Sequence, residues 1–229
     1  MNGKNQSGLK NPGHKARKRL LDVSEKLFAE KGFGDTSVRD ITDKAHCNIA
    51  AINYYFGGKE DLYREVFFRR LNEMRDARIK AIQSILEDVN SPVTLEGLIY
   101  SFSKAFVGSA GGSEFITLLL REMLAPNLPR GIFIEGCILP VNKVLKEALC
   151  KVCPGLDDRS AELCVQSLLG QLYHTMRIYH FRGKLAQDNL PIPDISAAID
   201  HIVQFTVAGI RTCMAGKASE KTFKEIVAV

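Results

Sequence analysis

Polar side chains between residues 36 and 59 are of the types that contact nucleic acid. Arg39 and Lys59 are cations that can pair with phosphate, and the amide of Asn53 can hydrogen-bond to a base edge. The other residues of this stretch that we assign to this surface are Asn48, Ala50, Ala51, Tyr54 and Tyr55. Small alanines allow a helix backbone to come close to the bases. The composition of this stretch therefore predicts a DNA-binding surface.

Two helices precede the centre of this surface. The first is predicted from about His14 to Lys31, because apolar residues recur along it at helical spacing and Gly32 follows where a C-cap is expected. The second is about two turns long and ends near Ala45. Either Thr36 or Ser37 can cap it by accepting a backbone N–H of its first turn.

A third helix is predicted from about Ile49 to Phe56, after a break of three residues. Asn48, the last residue of the break, is a good N-cap for this helix. Two short helices with such a break between them are typical of a helix-turn-helix, whose second helix lies in the major groove. The spacing therefore places Ile49 to Tyr55 in the groove and the preceding helix across the DNA backbone.

Three strings of residues carry a resemblance to a known family. They are LFAEKGF from Leu27, TSVRDI from Thr36 and AHCNIAAINYYFGGKEDL from Ala45. These strings closely resemble the DNA-binding head of TetR-type (tetracycline-repressor family) transcriptional regulators. The match covers about residues 15 to 65.

The resemblance implies two kinds of DNA contact. Contacts from the flanks, mainly to phosphate, are implied for Arg39, Thr36 or Ser37, Tyr54, Tyr55 and Lys59. Contacts inside the groove are implied for Asn48 and for Ala50 to Asn53. As in that family, we expect two subunits to bind a palindromic operator on double-stranded DNA.

The sequence departs from the family pattern at three places. His46 stands where the turn usually has glycine, so we expect a strained or differently shaped backbone there. Cys47 replaces a valine and reduces the apolar volume of the head. Gly57 and Gly58 make the backbone flexible at the junction before Lys59. None of these changes removes a charged contact, and DNA binding remains the prediction.

The rest of the chain also has helical periodicity, which predicts an all-α fold of about nine helices. A long fourth helix opens at Lys59 and reaches about Val89. The later helices are predicted at Thr94 to Val107, Ser113 to Ala125, Ile132 to Val152, Asp157 to Leu185 and Ile195 to Ala215. Pro140 lies inside one of them and predicts a kink or break there.

The predicted organisation is a flexible basic arm (residues 1–13), a helix-turn-helix head (14–58) and an effector-binding and dimerisation domain (59–229). The stretch from Glu162 to His174 resembles the eighth helix of a TetR subgroup. This resemblance implies a homodimer formed by the last two long helices. Ser167 and Gly170 would permit their close approach.

A small-molecule effector is expected to bind among the polar and aromatic side chains of the apolar helices. The candidates are Tyr100, Phe106, Arg121, Cys137, Asn142, Gln171, His174 and Arg177. Such a ligand would release a repressor from its operator. We expect no cofactor.

The charge distribution indicates a polyanionic partner that contacts one end of the chain. The 229 residues carry a net charge of +5. Residues 1–58 hold ten basic and six acidic residues, a net charge of +4, whereas residues 59–229 hold 21 and 20. No apolar run approaches the roughly 20 residues of a membrane span, and the N-terminus lacks a secretion signal. We therefore expect a cytoplasmic protein without membrane contact.

Three other functions are alternatives to DNA-binding regulation. An enzyme is disfavoured because the sequence has no glycine-rich phosphate loop, HExxH or GxSxG motif. A redox- or metal-sensing regulator of the same fold remains an alternative, although Cys150 and Cys153 form a lone CxxC and His174 and His180 point to opposite sides of a helix. A helical protein-binding scaffold is the third possibility.

Overall fold

The computed structural model describes residues 12–89, 91–109, 112–129, 131–185 and 194–215. Within these ranges there is no β-strand, and the all-α prediction is confirmed. The elements are α1 Pro12–Lys31, α2 Val38–Lys44, α3 Ala50–Phe56, α4 Lys59–Leu86, α5 Leu95–Gly108, α6 Gly112–Leu124, α7 Gly131–Phe133, a π-helical segment Ile134–Ile138, α8 Leu139–Val152, α9 Asp158–Leu185 and α10 Ile195–Ala215. The predicted arm lies outside the described residues, except for its last two, which begin α1.

The helices form two compact units. The first contains α1, α2, α3, the part of α4 up to Arg70, and α6. The second contains the part of α4 from Leu71, then α5 and the elements from α7 to α10. The predicted domain boundary after residue 58 coincides with the start of α4, whereas the packing extends the first unit into α4 and adds α6 to it.

The core of the first unit is apolar and is bordered by an ion-pair cluster. Leu20, Phe28 and Ile41 are fully buried, which fixes α1 against α2. Glu25 of α1 is also buried, with 4% exposure, but both of its oxygens are paired with arginines of α4. Arg69 and Arg70 approach it at 2.8 and 2.7 Å. Since a buried charge needs a partner, this cluster ties α4 to α1 without leaving an unpaired carboxylate.

Side chains of α6 explain why this helix belongs to the first unit. The rings of Phe67 and Phe115 pack edge to face, with centroids 5.5 Å apart. Arg121 donates from Nη2 to the carbonyl of Glu30 at 3.1 Å, which satisfies a free carbonyl in the last turn of α1. Contacts with both α4 and α1 therefore hold α6 in place.

A buried carboxylate provides a further link between α6 and α4. Glu122 of α6 accepts a hydrogen bond from the hydroxyl of Tyr63. It also accepts from the backbone N–H groups of Asn127, at 3.0 Å, and Leu128, at 3.1 Å, and from the Asn127 amide at 2.9 Å. The single side chain thus closes the turn after α6 and holds that turn against α4.

In the second unit α9 is the central helix, in contact with α5, α8 and α10. Its buried residues Val165, Leu168 and Leu172 recur at helical spacing. On α10 the buried positions include Ile202 and Ile210. These apolar faces form the core of the unit.

The helical run from Gly131 to Val152 contains the irregularity predicted at Pro140. The run widens into the π-helical segment immediately before this proline, and the N–H of Leu139 donates to Ile134 five residues back. Proline has no N–H, so the carbonyl of Gly136 lacks its usual helical donor. Arg75 of α4 donates to this carbonyl from Nη1 at 3.4 Å. A side chain therefore substitutes for the missing backbone bond.

Candidate nucleic-acid interface

A capping box holds the start of α2. The hydroxyl of Ser37 accepts from the N–H of Asp40 at 3.0 Å, and Asp40 Oδ2 accepts from the N–H of Ser37 at 3.1 Å. The N–H of Ser37 is the main cause that holds the pKa of Asp40 below its usual value, followed by the Ser37 hydroxyl and Lys31. Ser37 is exposed, so of the two predicted cap residues it is the one that remains accessible to a phosphate.

Thr36 has a different role from the predicted one. It is fully buried, and its hydroxyl donates to the carbonyl of Gly32 at 2.7 Å and approaches that of Leu27 at 3.2 Å. A side chain without exposed surface cannot contact DNA, so the assignment of Thr36 to the interface is corrected. Its hydroxyl stabilises the C-terminal end of α1.

The turn between α2 and α3 has the unusual backbone expected from the substitution at His46. This residue has φ +51°, in the left-handed region that glycine adopts most easily. After it, the side chain of Asn48 accepts from the N–H of Ala50 at 2.9 Å, and the carbonyl of Asn48 accepts from the N–H of Ala51. Asn48 therefore caps the first turn of α3, as predicted.

Opposite faces of α3 have opposite character. Ile52 and Phe56 are buried and anchor the helix in the head. Asn53 and Tyr54 lie on the outer side, and Tyr54 is 81% exposed. The remaining predicted residues of this surface fall into two classes, with Asn48, Ala50 and Arg39 exposed and Ala51 and Tyr55 half-buried. All of them except Thr36 thus keep some accessible surface.

Lys59 lies where α4 begins. Its ammonium is 4.4 Å from the centre of the Phe33 ring and donates to the carbonyl of Gly34 at 3.4 Å. An ammonium has three donors, so these contacts leave capacity for a phosphate. The loop between α1 and α2 therefore orients the predicted phosphate ligand.

The predicted effector residues are spread over the molecule. Arg121 belongs to α6 in the first unit and contacts the end of α1. In the second unit Phe106 and Cys137 are fully buried, Asn142 and Gln171 are half-buried, and Tyr100, His174 and Arg177 are exposed. Among the residues that the structure describes, Arg78 contacts both Phe106 and Cys137, although the sequence did not predict a role for Arg78.

Comparison with protein families agrees with this geometry. The model described as "Bacterial regulatory proteins, tetR family" matches residues 20–66, which contain the helix-turn-helix. The model described as "Tetracyclin repressor-like, C-terminal domain" matches residues 102–209. The chain belongs to the TetR family of transcriptional regulators. DNA binding through a helix-turn-helix follows from this membership, and the predictions of family and function class are confirmed.

Two curated relatives match over part of this chain. A probable HTH-type transcriptional regulator of Bacillus subtilis, YttP, is 31% identical over 81 residues, which are 35% of this chain and 37% of the relative. The HTH-type transcriptional dual regulator CecR of Shigella flexneri is 49% identical over 51 residues, 22% of each chain. The matches thus cover less than half of the length of these curated relatives.

A solved structure shares the fold over most of this chain. A putative transcriptional regulator from Pseudomonas aeruginosa PAO1 superposes with a TM-score of 0.67 at 19% identity, covering 90% of this chain and 94% of that one. At this identity the likeness shows the fold alone.

Family members are regulators rather than enzymes. In the part of this TetR-family chain that the structure describes, no three His, Cys, Asp or Glu side chains are placed to hold a metal ion. None of the helices within the described ranges has the length and apolar character that crossing a membrane requires.

Proposed function

We propose that this TetR-family protein is a homodimeric repressor that a small-molecule effector releases from a palindromic operator. The observation that carries the proposal is the two-sided character of α3, which is anchored by Ile52 and Phe56 and turns Asn53 and Tyr54 outward. An outer face of this kind fits the major groove. Two such helices, about 34 to 36 Å apart, would read successive grooves of a symmetric site.

Each side chain of the interface has a proposed role. Arg39, Ser37 and Lys59 contact phosphate and set the register, because such contacts position a protein without reading sequence. Asn53 reads a base edge, since its amide offers one donor and one acceptor side by side. Tyr54 and Tyr55 pack edge to face, with ring centroids 4.8 Å apart, and contact the backbone of the duplex.

The proposed dimer uses the outer faces of α9 and α10. Leu163 is 54% exposed, and Ser167 and Gly170 follow it on the same side of α9 at helical spacing. On α10 Phe205 is 64% exposed. Large apolar side chains beside small ones suit a close helix pairing between subunits, which would bury both. In this arrangement residues 59–229 serve effector binding and dimerisation, and residues 14–58 bind DNA.

Selection from random duplex oligonucleotides tests DNA binding directly. We expect the full-length protein to enrich a palindrome and to bind it with a steep loss of affinity as salt rises, because phosphate contacts release counterions. The variant Asn53→Ala should enrich a different sequence, whereas the exposed Asn72→Ala on α4 should not. Failure to retain any duplex at low ionic strength would refute the proposed function.

A salt titration tests the role of Lys59. The variant Lys59→Met should weaken binding to all sequences alike and lower the salt slope by about one unit. Lys80→Met removes the same charge from an exposed position of α4 and serves as the control. An unchanged slope for Lys59→Met would remove Lys59 from the phosphate contacts.

Sedimentation equilibrium tests the proposed dimer interface. Phe205→Glu should yield a monomer, because it places a charge where two apolar faces would meet. Met123→Glu puts the same charge on α6, at a residue that is 64% exposed, and should remain dimeric. A dimeric Phe205→Glu variant would contradict this interface.

A further inference from the structure

Arg78 is a buried arginine without a carboxylate partner. It lies on α4 in the second unit and is only 1% exposed. Its guanidinium donates to the Ser109 hydroxyl at 3.3 Å, to the Phe106 carbonyl at 3.4 Å and to the Cys137 sulfur at 3.9 Å. These acceptors are neutral, and the distances exceed the roughly 2.7 to 2.9 Å of charge-assisted hydrogen bonds to carboxylates. Within the described ranges, no ion pair involves Arg78.

Other arginines of α4 have carboxylate partners. Arg69 and Arg70 have side chains that are 22% and 29% exposed, yet both pair with Glu25. Arg75 pairs with Asp76 at 2.9 Å. Arg78 is more deeply buried than any of these and has only neutral contacts. A buried charge costs free energy unless an opposite charge accompanies it, so the arrangement at Arg78 is unfavourable in the free protein.

Aromatic and polar groups around Arg78 resemble the wall of a ligand site. The guanidinium lies 3.7 Å from the centre of the Phe106 ring, and the rings of Phe106 and Tyr173 pack edge to face at 4.9 Å. One turn before Phe106, Ser103 is fully buried, and its hydroxyl has no hydrogen-bond partner among the described residues. Apolar walls with a few polar groups are typical of small-molecule sites.

The backbone beside Arg78 is also irregular. Cys137 belongs to the π-helical segment Ile134–Ile138. Such segments inside α-helices occur frequently at functional sites, because they cost backbone stability. The unpaired charge and the π-helical segment are independent features of the same place.

We propose that Arg78 binds the carboxylate of the effector, which is an organic monoanion with an apolar body. The two carboxylate oxygens would replace the long contacts to Cys137 and Phe106, and the apolar body would pack against the Phe106 and Tyr173 rings. A monoanion matches the single charge of Arg78, because the neighbouring Arg75 already pairs with Asp76 and donates to the Gly136 carbonyl, whereas a phosphate carries close to two charges at neutral pH. This assignment rests on the proposed function, in which an effector binds the second unit.

Carboxylates and their uncharged amides test whether the site at Arg78 prefers an anion. The probes are decanoate, phenylacetate and 2-naphthoate, each with its primary amide, and the readouts are the Tm of the protein and the release of the selected operator. We expect at least one carboxylate to bind with Kd at or below about 1 mM and its amide to bind at least about tenfold more weakly. Arg78→Met should abolish this preference, and Arg78→Lys should keep it at lower affinity.

Controls separate this inference from the proposed function. Operator binding without any probe reports the proposed function and the folding of each variant. The exposed Arg159→Met makes the same change on α9 and should behave as wild type. If the protein binds its operator but none of the three carboxylates, or binds amides equally well, the assignment of Arg78 is overturned. It is also overturned if either Arg78 variant binds the carboxylate as the wild type does.

Discussion

The hydrogen bond between Tyr63 and Glu122 can be removed with little other change. Tyr63 is 2% exposed, and its ring lies 4.9 Å from both Phe28 and Phe33. The variant Tyr63→Phe keeps this aromatic packing and deletes only the hydroxyl. Glu122 retains three donors from Asn127 and Leu128, so its carboxylate is not left without hydrogen bonds.

The expected loss of stability follows from these contacts. A hydrogen bond to a charged acceptor contributes about 1.5 to 3 kcal/mol. No cavity forms, because phenylalanine fills the same volume. We therefore expect Tyr63→Phe to lower the free energy of unfolding by about 1.5 to 3 kcal/mol at pH 7. Urea unfolding followed by circular dichroism measures this, at one fixed protein concentration because the proposed dimer couples association to stability.

The pH dependence of the free energy of unfolding is a second test of the hydrogen bond between Tyr63 and Glu122. Burial, followed by the hydrogen bond and the charge of Glu122, raises the pKa of Tyr63 above its usual 10.0. In the unfolded chain the phenol ionises near pH 10.0, whereas in the folded protein it stays protonated. A raised folded-state pKa gives stability that is complete below pH 10.0 and is lost as the pH rises further. The advantage of the wild type over Tyr63→Phe should therefore shrink above pH 10.0.

The control is Tyr54→Phe, which deletes a hydroxyl from a side chain that is 81% exposed. Its stability should change by less than about 0.5 kcal/mol. If Tyr63→Phe is equally neutral, or if its stability relative to the wild type does not depend on pH above 10.0, the bond does not hold α6 to α4 as described.

Three further changes test local features by urea or thermal unfolding. His46→Gly should raise the free energy of unfolding by about 1 kcal/mol, because glycine adopts a positive φ without strain; an equal or lower stability would argue against the strained turn. Asp40→Asn should be less stable than the wild type at pH 7, and the difference should disappear as the pH falls through the pKa of Asp40, which Ser37 holds below 3.8. Persistence of the difference at lower pH would exclude the carboxylate as its cause. Arg75→Met should lower Tm, because the Gly136 carbonyl loses a donor at 3.4 Å, and an unchanged Tm would show that this bond contributes nothing.

Much of the fold was predictable from the sequence because the residues that begin and end its helices act locally. Gly32 and Gly57 both have positive φ and end α1 and α3, and Asn48 caps α3 as expected. Such signals depend on single residues and their neighbours in the chain. The predicted ends of most helices therefore agree with the structure to within one or two residues.

Other features depend on contacts between distant residues and could not be read from local patterns. Thr36 and Ser37 are equivalent as caps in the sequence, and only the packing of α1 shows that Thr36 is buried. The membership of α6 in the first unit depends on Phe115 and Arg121, which lie far along the chain from their partners. Local periodicity contains no information about such partners.

Arg78 was missed for a different reason. An arginine is usually expected at the surface, so the sequence alone gave Arg78 no predicted role. Yet Leu71, Met74 and Ile82 are all buried and stand seven, four and four residues from position 78. This helical spacing places Arg78 on the buried face of α4. A charged residue on a buried face is a candidate functional residue, and the periodicity of the sequence is enough to identify it.

Helix α4 begins at the predicted phosphate contact Lys59 and carries the proposed effector contact Arg78. Nineteen residues separate them, or about 28 Å of helix. Between these positions α4 contains neither proline nor glycine, the residues that most often allow a helix to bend. If an anion at Arg78 regulates DNA binding, it must bind one functional state of the protein more tightly than the other, so its affinity should differ between the free and the operator-bound protein.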